Sequence, residues 1–318
     1  MAGPTPATTQ PLSTIPFTLG VNLPWMTYGC DFGRNAWFAD GGVGRTEARA
    51  RANQVLARLA AAGLTTVRWF VFCDGRAGVR FDAAGRPLGL DEFVVRDIDA
   101  ALEMATAHRL SLILVLFDFP WCRRPRVVRG ARLGGHRGTL TRADLRAMLL
   151  ERVLMPVLRR YSDESAVAAW DLFNEPEWLT FGYGGLRTGR PLLPATMKAF
   201  LRECSAAAHA AASQPITVGL ASARGLPLVL GSGLDLYQVH WYDRRERRAP
   251  LNRPPVAQLD RPLLLGEFPS AGSASPVADV LRTARASGYC GALAWSAAAG
   301  DRFSDLAAVE HAVAGPGL

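Results

Sequence analysis

The sequence predicts an α/β fold, a single (β/α)8 barrel, on three observations. Eight short apolar segments alternate with amphipathic ones along the 318 residues. Most of these apolar segments are continuous rather than alternating, as in a parallel sheet covered by helices on one face and packed side chains on the other. The segment after the first strand, "LPWMTYGCDFG", lacks the G-x-G-x-x-G turn of a doubly wound dinucleotide-binding sheet.

Taken in order, strands are predicted over Phe17–Asn22, Thr66–Phe72, Ser111–Phe117, Val167–Phe173, Ile216–Leu220, Leu236–Trp241, Pro262–Glu267 and Ala292–Ser296. Helical periodicity fills Thr46–Ala62, Asp91–His108, Arg142–Tyr161, Ala195–Ala212 and Pro276–Ser287, with short, weakly patterned segments near Pro227 and Val256. Residues 1–15, rich in Pro and Thr, read as a flexible tail, and residues 16–318 as one catalytic barrel domain. Two long connections follow strands three and six, "DFPWCRRPRVVRGARLGGHRGT" and the stretch around "DRRERRAPLNRPP". Both belong to the C-terminal face of a barrel, where active sites are built.

Hydrophobic residues make up 49% and charged residues 20%, enough for a large core. The net charge of +8 suggests an anionic partner, but of 36 basic residues only Lys198 is lysine and no nucleic-acid-binding motif is present. A nucleic-acid partner is therefore not expected. Five cysteines without paired spacing, and no H-E-x-x-H, give no metal site and no cofactor. No run approaches the ~20 apolar residues of a membrane span. The first residues lack a recognisable export signal, which leaves a cytoplasmic location or export with a removed leader both open; a monomer is expected.

The polar residues that end the apolar strands carry the chemistry. Strand four runs into Asn174, Glu175 and Pro176, and strand seven into Gly266 and Glu267. Two carboxylates at the rim of one barrel suit glycosidic hydrolysis, one donating a proton to the leaving oxygen and one meeting positive charge at the sugar carbon. Singly, each residue has a structural alternative: Pro176 can open a helix, and Glu267 can be a partner of Arg68. The joint placement at strand ends carries the catalytic reading.

"NEP" on strand four and "GEF" on strand seven resemble clan A glycoside hydrolases, and in particular family five, which includes cellulases and mannanases. The resemblance implies a (β/α)8 barrel, Glu175 as acid/base, Glu267 as nucleophile and Asn174 on the sugar 2-hydroxyl of the −1 subsite. It also implies that Arg68 in "TTVRWF" holds the nucleophile, that His240 and Tyr242 form the family's His-x-Tyr, and that Trp295 is a sugar platform. Strand three departs from the family pattern: Asp118 stands where a histidine is usual, which leaves the −1 sugar open.

Trp25, Tyr28, Trp121 and Trp178 lie just beyond strands and suit sugar platforms or loop packing. Glu177 is expected to be a solvated charge at a helix start. Glu175 is expected to have a raised pKa through burial and its neighbouring negative charge. The expected activity is retaining hydrolysis of a β-linked, mannan- or glucan-like carbohydrate by double displacement. An exo-acting β-glycosidase or transglycosylase, with the long strand-three loop blocking the cleft, and a non-catalytic carbohydrate-binding barrel are the alternatives. Arg123, Arg124, Arg126, Arg129, Arg132 and Arg137, with Arg244, Arg245, Arg247, Arg248 and Arg253, suggest an acidic glycan.

Overall fold

The computed structural model describes residues 17–188, 190–243 and 249–315. The predicted tail at 1–15 and Arg244, Arg245, Arg247 and Arg248 lie outside these residues.

Eight parallel strands close into a barrel in sequence order: Thr18–Asn22, Thr66–Phe70, Ser111–Asp118, Val167–Asn174, Ile216–Leu220, Tyr237–His240, Leu263–Pro269 and Gly291–Trp295. The first pairs with the eighth through Thr18–Gly291 to Asn22–Trp295, which closes the ring. Helices Thr46–Ala61, Val94–Ala107, Pro194–His209 and Val277–Ala286 follow the predicted segments, with ends moved by a few residues. A last helix, Leu306–Ala314, follows the eighth strand, packs against the helix Val277–Ala286 and was not anticipated. Its alanine-rich sequence gives little contrast between faces.

The predicted helix Arg142–Tyr161 is divided into Ala143–Leu149, a π turn at Leu150–Leu154 and Met155–Arg160. Pro156 has no N–H to return to the carbonyl of Arg152, and the Met155 amide bonds Leu150 instead. The weak segments near Pro227 and Val256 are 3-10 turns, Ala223–Leu228 and Val256–Gln258. The long strand-three connection is ordered by a 3-10 turn at Phe119–Cys122 and by a hairpin pairing Arg126–Val128 with Ala131–Leu133. Its two-residue turn, Arg129–Gly130, has positive φ at both positions (45° and 82°), matching the right-handed twist of the strands.

Alternation along the strands divides the core in two. Outward side chains such as Val21, Trp69, Trp170 and Leu265 pack under the helices, while Ile113, Ala169, Leu264 and Leu293 plug the barrel interior. Above this plug the interior turns polar, with Asn22, Arg68, Asp171, Gln238, His240 and Glu267 all buried. A layer of this kind is tolerable only if its hydrogen bonds are met within the protein.

Candidate active site

The two carboxylates reach the site through irregularities in their strands. On strand seven, Leu264 faces the interior plug and Leu265 faces out, so regular alternation would turn Glu267 outward. The register against strand six steps from Val239–Leu265 to His240–Glu267, leaving Gly266 as an inserted residue. This bulge re-aims Glu267 into the barrel mouth. Glycine is required there because a Cβ would lie 2.4 Å from Gln238 Cγ. Strand four shifts register against strand five in the same way between Asp171 and Asn174. Glu175 then takes a left-handed conformation (φ 50°, ψ 54°), with its amide bonded to the Gly219 carbonyl at 2.7 Å. Pro176 disfavours right-handed helical dihedrals for the residue before it, and the strain falls on the residue whose side chain enters the cleft.

One oxygen from each of Glu175 and Glu267 and a ring nitrogen of His240 lie within 4.8 Å of one another. His240 Nδ1 is 3.0 Å from Glu175 Oε1 and 3.4 Å from Glu267 Oε2. Trp178 Nε1 donates to Glu175 Oε2 at 2.7 Å, and Tyr242 donates its hydroxyl to Glu267 Oε2 at 3.0 Å. The three groups could bridge a cation, but the Arg68 guanidinium, 2.8 Å from Glu267 Oε1, already supplies the local positive charge.

Arg68 is wholly buried and uses all five of its donors. Nε and Nη2 reach Asp171, Nη2 also reaches Asn174, and Nη1 reaches Asn22 and Glu267, at 2.7–3.0 Å. Placed among the substrate contacts by sequence, it lies beneath them and positions Glu267 and Asn174. Asn174 passes the order on, donating to Asp118 Oδ1 at 2.9 Å. Burial, with the charges of Glu175 and Glu267, raises the Asp118 pKa to about 7 against the hydrogen bonds from Asn174 and Phe119.

Burial raises the Glu175 carboxyl, but the hydrogen bond and charge of His240, the Trp178 hydrogen bond and Arg68 bring it below its ordinary value. Burial also raises Glu267 and prevails there over His240 and Arg68. His240 is lowered by burial and raised further by Glu267 and Glu175, so it lies above its ordinary value. The expectation of a raised Glu175 is thereby corrected: its imidazole partner, invisible to a reading of nearby charge along the sequence, holds the proton with it. The three groups titrate as one cluster.

Trp25 and Trp295 stand edge to face at the mouth, ring centres 6.0 Å apart, and with Tyr28, Phe70, Asn174 and Glu267 they line a cavity of about 380 Å³. Trp178 lines the neighbouring cavities on the other side of Glu175. Trp121 is no platform. It is fully buried, packed on Phe117 at 4.7 Å and donating to Thr139 Oγ1 at 3.0 Å. Glu177 is not a solvated charge either: it is buried under Ser222 and Gly225, and burial raises its pKa to about 7. The residues missed by sequence reasoning are Asn22, Asp171, Gln238 and Gly219. A single polar residue inside an apolar strand, as in "AWDLF" and "YQVH", was the available signal for Asp171 and Gln238.

No family model matches the chain. The mannan endo-1,4-beta-mannosidase of Cryptopygus antarcticus is 26% identical over 337 aligned residues, covering 91% of this chain and 82% of the relative. The enzyme of the same name from Mytilus edulis is 25% identical over 163 residues, 51% of this chain and 40% of that one. Among solved structures, the β-1,4-D-mannanase of Cryptopygus antarcticus superposes with a TM-score of 0.80 at 23% identity over 94% of this chain and 89% of that one. The endo-1,4-β-mannanase of Eisenia fetida gives 0.78 at 22% identity over 94% and 90%. With the glutamate motifs at the ends of strands four and seven of a closed eight-stranded barrel, the chain is a β-glycoside hydrolase that resembles the clan A glycoside hydrolases, family five in particular.

Proposed function

We propose that the protein cleaves β-1,4-mannan internally, with retention of configuration, through a covalent glycosyl-enzyme on Glu267. The observation that carries this reading is the approach of the two carboxylates, oxygen to oxygen within 4.8 Å. Retaining enzymes hold their carboxyl groups about 5–5.5 Å apart, whereas inverting enzymes need roughly 6.5–9.5 Å to admit a water. The mannan assignment rests on the names of the relatives.

Glu267 attacks the anomeric carbon as the bond to the leaving oxygen breaks, and Glu175 gives that oxygen its proton. Water then attacks the same carbon, loses its proton to Glu175 and releases Glu267 as a carboxylate. Arg68 and Tyr242 hold one oxygen of Glu267 each, leaving its orientation fixed for attack. The proton needed by Glu175 is shared with His240 across a 3.0 Å hydrogen bond. A sugar filling the cleft removes water from that ion pair and favours its neutral form, which is the acid form of Glu175. Asn174 stands beside the pair where a 2-hydroxyl would be met, and Trp295 and Trp25 offer apolar faces to the ring.

Internal cleavage is supported by the cavities on both sides of Glu175, because the strand-three segment lines both of them as a wall rather than plugging the cleft. The test is to follow the anomeric proton signals of newly formed ends during hydrolysis of a β-1,4-mannan hexasaccharide. The β-anomer first, with mid-sized fragments, is expected; α-anomer first excludes the covalent route, and release of single units from one end excludes internal attack.

A further inference from the structure

The segment Phe119–Arg137 borders a cavity of about 780 Å³ that begins at Glu175 and Trp178 and does not include Glu267. The sugar that keeps its anomeric carbon must lie against Glu267, so the space beyond Glu175 receives the departing part of the chain. Its lining carries Arg123, Arg124, Arg126, Arg137 and Arg190, with Glu175 as the sole carboxylate among the described residues. Several arginines elsewhere stand against carboxylates, as Arg34 does with Glu92 at 2.8 Å and Arg146 with Glu203 at 2.6 Å. Among the described residues none of the five cavity arginines has such a partner. Arg137 bonds only the carbonyls of Arg190 and Pro191, and the Arg123 guanidinium lies over the Phe119 ring. Behind them Arg132 keeps a buried Nε without a hydrogen-bond partner. Uncompensated guanidinium groups around a concave wall focus positive potential and pair readily with carboxylate or sulfate oxygens.

We infer that this cavity is the leaving-group side of the cleft and selects chains whose departing units carry an anionic substituent. The inference rests on the hydrolase reading above, and one matched pair of probes separates the two. A β-1,4-mannan pentasaccharide is oxidised to a carboxylate at its reducing end, and a second sample is reduced there to the neutral alditol. Both place an opened terminal unit on the leaving-group side and differ in charge alone.

At low salt the carboxylate probe is expected to have a kcat/KM about tenfold higher, consistent with a few exposed or half-exposed arginine contacts. In the Arg124→Ala/Arg126→Ala variant that ratio should fall toward one. In Arg51→Ala/Arg202→Ala, which removes the same charge from exposed positions on outer helices, it should persist. Equal rates for the two probes in the unmodified protein overturn the inference and leave the hydrolase reading standing. Cleavage of neither probe, nor of neutral mannan, removes both. An equal fall of the ratio in the two variants assigns the preference to overall charge and overturns the cavity's role.

Discussion

Arg68 lays two of its nitrogens, Nε at 3.0 Å and Nη2 at 2.8 Å, on one oxygen of Asp171. Asp171 lies in the middle of strand four and is itself fully buried, also accepting from Gln238 Nε2 at 2.8 Å and the Gly219 amide at 3.1 Å. This pair fixes the floor on which Glu267 and Asn174 stand. Replacing Asp171 by Asn leaves the buried arginine short of counter-charge, which in comparable sites costs about 3–5 kcal/mol. The expected result is a lower urea midpoint at unchanged slope, with kcat falling along with it.

Glu175→Gln removes the proton donor but keeps the shape of the site. Turnover of mannan should drop by about 10²–10⁴-fold, while the far-UV spectrum and melting temperature stay near those of the unmodified protein. Full activity would take Glu175 out of the mechanism.

The pH profile of kcat/KM should be bell-shaped. Attack requires ionised Glu267, so the acid limb lies above 4.5, the ordinary value from which burial raises that group. The alkaline limb marks loss of the proton shared by His240 and Glu175, and it lies above 6.5 because Glu267 and Glu175 hold the imidazolium. Both limbs describe the cluster rather than single residues. An alkaline limb below 6.5 would contradict this assignment.

Glu177 predicts a separate effect on stability. Its pKa rises from 4.5 in the unfolded chain to about 7 in the folded protein, so the folded state binds the proton more tightly. The associated stability is present in full below about pH 4.5 and is lost as pH rises through 7, by an amount of order 3 kcal/mol. Glu177→Gln, which cannot ionise, should flatten the dependence of unfolding free energy on pH across this interval. Chemical denaturation at a series of pH values measures it.

The tryptophans should separate by function. Trp25→Ala, at the cleft mouth, should raise KM roughly three- to tenfold through lost ring contact. Trp121→Phe removes a buried hydrogen bond to Thr139 and should lower the melting temperature without changing KM.

The barrel was legible because parallel strands buried on both faces write themselves as apolar runs, and the glutamates because a carboxylate at the end of such a run has no structural need to be there. Trp121 misled because an aromatic residue in a rim loop has the same sequence signature whether it faces sugar or core. Glu177 misled because its cover, Ser222 and Gly225, arrives from the connection after strand five, some 45 residues along the chain.

By itself, then, the sequence determined the order of strands, the strand-end positions of Glu175 and Glu267 and the kind of chemistry two carboxylates serve. Tertiary structure alone decided which way those residues face, through the extra residue at Gly266 and the register shift before Asn174. It also decided who holds the proton, because His240 meets Glu175 only when strands four and six close around the same space. Alternation is a local rule that the chain carries in its spacing, whereas register and the field at a buried carboxylate are set by partners distant in sequence.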